Sequence, residues 1–104
     1  MNVVAINGSP RKGWNTAGIL QAALEQAQAQ GAATALHDLH YTGCRSCFAC
    51  KHISGFSLGR CALKDDLTPV LQQILAADVV LLGSPIYFGD ITAGMRALLE
   101  RLWF

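Results

Sequence analysis

The feature that most constrains this chain is the apolar run Val3-Val4-Ala5-Ile6-Asn7 followed directly by Gly8-Ser9-Pro10-Arg11-Lys12-Gly13-Trp14-Asn15-Thr16. Residues 2–6, apart from Asn2, are apolar and rich in β-branched side chains with no alternation, which predicts a strand buried on both faces of a parallel sheet. In the segment that follows, small residues let the backbone turn sharply, Ser9, Asn15 and Thr16 supply neutral donors, and Arg11 supplies charge. The helix expected from Thr16 onward aims free N–H groups and its positive dipole end into the turn. A phosphate is the natural occupant; the alternative for the same residues is a Gly/Pro turn that caps the helix. Gly8 and Gly13 stand at Walker spacing, but Trp14-Asn15 occupy the places of the Lys and Ser/Thr that a triphosphate loop requires, and G-x-G-x-x-G is absent. A single phosphate therefore suits the loop better than a triphosphate.

Further along, Ile19, Leu20, Ala23, Leu24 and Ala27 recur at helical spacing, predicting a helix from Thr16 to about Gln30 closed by Gly31. Thr34 to Leu39 is a second strand candidate, and residues 41–64 form an irregular loop holding all four cysteines. Asp65 and Asp66 are expected to cap a helix carrying Leu67, Val70, Leu71, Ile74 and Leu75, with Pro69 in its first turn. Asp78 to Gly83 is the third strand, and a last helix bears Ile91, Met95, Leu98, Leu99 and Leu102. This alternation specifies an α/β fold with a parallel sheet covered by helices. In doubly wound sheets, strands 1 and 3 lie side by side and ligands sit outside their carboxyl ends, where the winding reverses. That plan joins residues 8–16 and 84–90 into one site.

The second of these loops, Ser84-Pro85-Ile86-Tyr87-Phe88-Gly89-Asp90, sets two adjacent aromatics at the mouth of the sheet. They are placed either to receive a flat ring or to fill core space over the last helix. His37 and His40 read as locally bonded or solvent-side groups, Trp14 either covers the bound group or packs on the first helix, and Arg96 and Arg101 read as a solvated helix face.

Hydrophobic residues make up 52% of the 104 residues and charged ones 14%, enough apolar content for one buried core. A net charge of +1 without any Lys/Arg block argues against nucleic acid or an anionic membrane as partner. No basic-then-apolar leader and no apolar stretch near ~18 residues is present, so a cytoplasmic location is expected. In that setting the cysteines read as free thiols, metal ligands or redox groups. Cys44, Cys47 and Cys50 form C-x-x-C-x-x-C, and Cys61 follows after ten intervening residues. The first three match the bacterial ferredoxin spacing, while the fourth comes later and lacks the following Pro. A four-iron cluster, zinc with His52 as a substitute ligand, and reduced thiols in a loop all stay open.

Ser9-Pro10-Arg11-Lys12, Asn15-Thr16, the cysteine loop ending in Lys64-Asp65-Asp66, and Gly83-Ser84-Pro85-Ile86-Tyr87-Phe88-Gly89 together resemble the NADPH-dependent FMN reductase family of flavodoxin-like proteins, in particular its iron-sulfur flavoprotein branch. The resemblance runs over the whole chain. It implies FMN, with the phosphate on Ser9, Arg11, Asn15 and Thr16 and the isoalloxazine ring against Pro85, Ile86, Tyr87, Phe88 and Gly89. It also implies NAD(P)H as electron donor and a small-molecule or protein acceptor; the iron-sulfur branch carries a compact cysteine motif, usually with a shorter gap before its last Cys, so a 4Fe-4S cluster on Cys44, Cys47, Cys50 and Cys61 stays open beside the other two readings. The flavin performs the redox chemistry and the protein positions and tunes it, so no side chain need act as acid, base or nucleophile.

A complete flavodoxin-like sheet has five strands, and this chain supplies three with about three helices, so residues 1–104 are expected to be one incomplete FMN-binding domain. The apolar Leu102-Trp103-Phe104 terminus and the Val79-Val80-Leu81-Leu82 strand at a sheet edge call for cover by a homo-oligomer or a completing C-terminal polypeptide. Two function classes follow: an FMN-dependent NAD(P)H oxidoreductase, and a non-enzymatic metal-binding or assembly module built on the cysteine loop; a fragment of a longer flavoprotein without activity alone is a further alternative. A low-molecular-weight phosphatase is excluded because the loop after strand 1 holds no Cys.

Overall fold

Val3–Asn7 forms the central strand, β1, of a three-stranded sheet in the computed structural model, which describes residues 1–104. Its neighbours β2 (Thr34–Ala35) and β3 (Val79–Gly83) both run parallel to it, in the order β2-β1-β3. β1 and β3 pair along their whole length, from Val3 opposite Val79 to Asn7 opposite Gly83. β2 engages only through Thr34 opposite Ile6 and Ala35 opposite Asn7. With helices α1 (Asn15–Gln26), α2 (Thr68–Ala76) and α3 (Ala93–Arg101), the chain builds the flavodoxin-like α/β architecture expected of it.

Alternation along β1 divides the core into two layers. Val3 and Ala5 pack with Leu20 and Leu24 of α1. Ile6, from the other face, joins Leu36, Leu67, Val70, Leu71, Met95 and Leu98, so α2 and α3 cover that side. Ile6, Leu36, Leu67, Met95 and Leu98 are almost wholly withdrawn from water, each contributing about 1.5–3 kcal/mol of burial free energy.

Several boundaries differ from the sequence expectation. α1 stops at Gln26, short of Gln30, because Gln28 takes φ 54° and Ala29 N–H bonds back to the Leu24 carbonyl at 2.9 Å. The second strand lasts two residues, after which Leu36–Asp38 form a 3₁₀ turn that buries Leu36 in the core. α2 begins at Thr68, so Asp65 and Asp66 lie ahead of it: Asp65 accepts from Leu67 N–H at 3.0 Å and Asp66 from His40 N–H at 2.8 Å. Pro69 does sit in the first turn of α2. No helix is long and apolar enough to cross a membrane. β3 is hydrogen-bonded on one side only, and Leu82 on it is 45% exposed.

Candidate functional site

The loops after β1 and β3 meet, and hydrogen bonds fasten them together. Gly8 N–H donates to the Gly83 carbonyl at 2.8 Å, extending the β1–β3 pairing by one step. The Gly8 carbonyl in turn accepts from the Thr92 hydroxyl at 2.8 Å and lies 3.2 Å from His37 Nε2. Thr92 also accepts from Met95 N–H at 3.3 Å as the N-cap of α3, while its own N–H donates to Ser84 Oγ at 3.0 Å. Both loops and the start of α3 therefore meet on the carbonyls of Gly8 and Gly83 and the hydroxyls of Thr92 and Ser84. Glycine allows close approach at two points here: a Cβ at Gly8 would stand 3.1 Å from Met95, and one at Gly83 would stand 2.9 Å from Thr16 Cγ2 and Leu20 Cδ1, so either would oblige its neighbours to shift.

Within the first loop, Asn7 turns its buried side chain to accept from Ser9 N–H at 2.8 Å, and Ser9 Oγ accepts from Arg11 N–H at 3.1 Å. Ser9 is itself buried, so it shapes the turn and can turn its hydroxyl hydrogen to an anion only by releasing a long 3.4 Å contact with the Arg11 carbonyl. Trp14 is the residue before α1 and provides no side-chain cap, which leaves the first N–H groups of that helix free for an outside acceptor. Arg11 and Asn15 are exposed and Thr16 is half-buried at this helix start. The Arg11 guanidinium lies 4.3 Å from the centre of the Trp14 ring, while neighbouring Lys12 is taken up by an ion pair with Asp38. An uncapped helix start, a free guanidinium and hydroxyl and amide side chains are the donor set of a phosphate cradle. These residues fit the phosphate of FMN.

The second loop turns tightly. Tyr87 and Asp90 exchange backbone hydrogen bonds of 2.8 and 3.1 Å across Phe88 and Gly89, whose φ values are 52° and 77°. Two successive positive φ angles define a type I′ turn, natural for Gly89 and strained for an aromatic residue. Pro85 is half-buried, whereas Ile86 (68%), Tyr87 (49%) and Phe88 (108%) stand in solvent. The aromatics therefore do not fill core space over the last helix; they offer flat apolar surface beside the cradle. Asp90 anchors the far end, accepting from Ile91 N–H at 2.7 Å and from Arg96 at 3.1 Å, and these two bonds hold its carboxyl below the usual range.

The cysteine loop folds onto the end of α3. Cys44, Cys47, Cys50 and Cys61 all line one largely apolar cleft of about 230 Å³, walled by Phe48, Trp103 and Phe104. Within it no three His, Cys, Asp or Glu side chains stand close enough to hold a metal ion, so the expected ligand set shares a cleft without closing on a common centre. The backbone takes positive φ at Ser46 (58°) and Phe48 (60°) between the first three cysteines, and Cys61 Sγ accepts from Arg101 Nε at 3.2 Å. His52 is exposed.

Arg101 corrects the sequence reading most sharply. Expected on a solvated face, it is 2% exposed and closes the neck of the cysteine loop. It donates to the carbonyls of Thr42 (3.0 Å) and Leu63 (3.1 Å) and bidentately to Asp65 (2.8 and 3.1 Å). Burial alone would raise the Asp65 carboxyl, but the Arg101 hydrogen bond, the Leu67 N–H and the guanidinium charge outweigh it and hold the group below its ordinary value. Nearby, Cys44 N–H donates to Glu100, and Lys51 binds the Trp103 carbonyl at 2.6 Å with its ammonium 4.8 Å from the indole centre. Tyr41 donates to the Gly94 carbonyl at 2.8 Å, and burial pushes its phenol up, keeping it a donor.

The part that Asn7, His37 and Ser84 play in fastening the loops, and Thr92 altogether, escaped the sequence reading. The signal for Thr92 was present, because a Thr ahead of Ala93 and an apolar helical pattern is an N-cap signature. His37 acts through a backbone carbonyl 29 residues away, which no spacing reveals.

Comparison with known proteins follows the same lines. The family model described as NADPH-dependent FMN reductase matches residues 1–104. An iron-sulfur flavoprotein of Methanocaldococcus jannaschii is 35% identical over 97% of this chain and 51% of its own length, and one from Archaeoglobus fulgidus is 36% identical over 97% and 48%. An NADH-dependent FMN reductase of Pseudomonas putida is 36% identical over 96% of this chain and 50% of its own. The chain thus spans about half the length of the curated relatives it matches. No solved structure matches it. With its sheet order, its two fastened loops and a family match from the first residue described to the last, the chain belongs to the NADPH-dependent FMN reductase family.

Proposed function

We propose that this chain carries the FMN site of an NAD(P)H-dependent oxidoreductase. The observation that carries the proposal is the Gly8–Gly83–Thr92 junction, which sets the uncapped start of α1 beside the exposed Tyr87-Phe88 turn. In this role Arg11, Asn15, Thr16 and the free N–H groups of α1 bind the phosphate, with Ser9 shaping the turn around it. Pro85, Ile86, Tyr87, Phe88 and Gly89 orient the ring and keep water from one of its faces. FMN, when bound, supplies the capacity to accept a hydride from a nicotinamide and to pass electrons on singly or in pairs. The electron acceptor is a small molecule or another protein.

The unpaired side of β3 and the apolar surface of residues 86–88 are covered in the working protein by a second copy of the chain or by further polypeptide that completes the pocket. The length of the relatives, about twice that of this chain, supports the latter.

One observation favours an accessory role beside the flavin: four thiols line a single cleft, and several relatives are named iron-sulfur flavoproteins. Those thiols would hold such a cluster, and no step of the proposed chemistry passes through it. Anaerobic purification followed by absorption spectroscopy and iron analysis tests both readings. Flavin bands with NAD(P)H-dependent bleaching support the oxidoreductase, and about four irons per chain add the cluster. A colourless protein that takes up no FMN would leave the non-enzymatic cysteine-loop module instead.

A further inference from the structure

Arg11 is the exposed cation of the phosphate loop, and its surroundings differ from those of an ordinary surface arginine. Its guanidinium carbon lies 4.3 Å from the centre of the Trp14 ring. The main chain joins the same two residues, with Trp14 N–H donating to the Arg11 carbonyl at 3.4 Å, and Arg11 N–H is tied to Ser9 Oγ at 3.1 Å. Backbone and side chain are thus held from both ends. The ion pairs of the chain join Lys12 to Asp38, Arg96 to Asp90 and Arg101 to Asp65, so the Arg11 guanidinium keeps its donors for another partner. The neighbouring cation, Lys12, is drawn toward Asp38 and away from competition for the same anion.

Trp14 is 61% exposed, so it does not serve the core. As the residue preceding α1, it stands at the rim of the free N–H groups that form the floor of the cradle. An arginine stacked flat on an indole presents the N–H edge of its plane outward, in the fork geometry that matches two phosphate oxygens. Stacking also removes rotamer freedom that a free arginine would lose only on binding, and this lowers the entropic cost of recognition.

Taking FMN as the occupant of this site, we propose that Trp14 is a positioning residue that stacks Arg11 for the phosphate, and that the Trp14–Arg11 pair discriminates FMN from riboflavin, the same ring system without a phosphate. The pair touches the phosphate end alone, so its effect is confined to the phosphorylated flavin. Lys12 plays no part in the discrimination.

The test is a fluorescence titration of FMN and of riboflavin into the unmodified full chain and into Trp14→Ala, Trp14→Phe and Arg11→Lys. Trp14→Ala should weaken FMN about two- to fivefold, the range of a partly exposed cation–π contact, and leave riboflavin unchanged. Trp14→Phe, which keeps an aromatic face, should recover most of the FMN affinity. Arg11→Lys should weaken FMN at least as much as Trp14→Ala, since an ammonium lacks the planar fork. Equal losses for both flavins in Trp14→Ala, or no loss for either, would overturn the proposal while leaving FMN as the ligand. An unmodified chain that binds neither flavin would remove FMN itself, and the positioning role with it. Both aromatic variants change an exposed side chain, and unaltered urea midpoints would show that the fold is not what the titration reads.

Discussion

Thr92 Oγ1 donates a 2.8 Å hydrogen bond to the carbonyl of Gly8, 84 residues earlier in the chain, while accepting from Met95 N–H to cap α3. One hydroxyl therefore fixes where α3 begins and how the loop after β1 sits against the loop after β3. Thr92→Val keeps the volume and removes both bonds, leaving the Gly8 carbonyl with its 3.2 Å His37 contact alone and the helix uncapped. A loss of about 1–3 kcal/mol of folding stability in urea titrations is expected, together with weaker FMN binding. Thr92→Ser should retain most of each, and an unchanged midpoint for Thr92→Val would show that the junction holds without the hydroxyl.

Stability should depend on acid through Asp65. Its carboxyl sits below its ordinary value in the folded chain, so the stabilisation it contributes is fully present above the unfolded carboxylate pKa of about 4 and is lost as pH falls through the lowered folded value. Arg101 stays charged throughout, because its hydrogen bonds to Asp65 and Cys61 outweigh its burial. Urea midpoints should be level from neutral pH to about pH 5 and fall below it, and Asp65→Asn should flatten part of that fall. Arg101→Met leaves the Asp65 carboxylate without its partner and should destabilise by about 3–5 kcal/mol at neutral pH. An acid limb identical in Asp65→Asn and the unmodified chain would contradict the assignment.

How much of this was legible in the sequence depends on the range over which each residue acts. Unbroken apolar runs at 3–6 and 79–82 and helical spacing between them are local patterns, and they predict the β2-β1-β3 order and the meeting of the two loops. Arg101 shows the opposite case. On its own helix it stands among Arg96 and Glu100 as one more charged position, and only the fold brings Thr42, Leu63 and Asp65 to it. The second strand fails early for a similar reason: Leu36 is drawn into the core with Leu67 and Leu98, which bends the chain out of the sheet. The cysteine spacing specified a shared neighbourhood, one cleft lined by all four, but not the left-handed backbone at Ser46 and Phe48 that shapes the loop.

Phe88 holds a left-handed backbone, φ 52°, with its ring fully in solvent, a conformation that costs a bulky residue about 1–2 kcal/mol with no packing in return within the chain. Phe88→Asn would place Asn before Gly89, the pair that type I′ turns favour. Thermal unfolding should shift upward, by an equivalent of about 1 kcal/mol, while flavin affinity falls because the ring has lost an aromatic surface. Gains in both properties would show that Phe88 does not serve the site.

Gly83→Ala tests the close approach of α1 to the end of β3. The added methyl would lie 2.9 Å from both Thr16 Cγ2 and Leu20 Cδ1. Moving the start of α1 to relieve this contact should destabilise by about 1–3 kcal/mol and displace the Thr16 side of the cradle, so FMN affinity should fall with stability. A fully stable Gly83→Ala chain would mean that α1 yields more readily than its packing indicates.

Whether residues 8–16 and 84–90 form one FMN site is decided by equilibrium titration of FMN fluorescence against the unmodified chain and the Ser9→Ala, Arg11→Ala double variant. The unmodified protein should quench FMN saturably at one FMN per chain, and the double variant should lose about tenfold or more in affinity. An unmodified chain that does not quench FMN, or a double variant that binds it equally well, would contradict a single FMN site there.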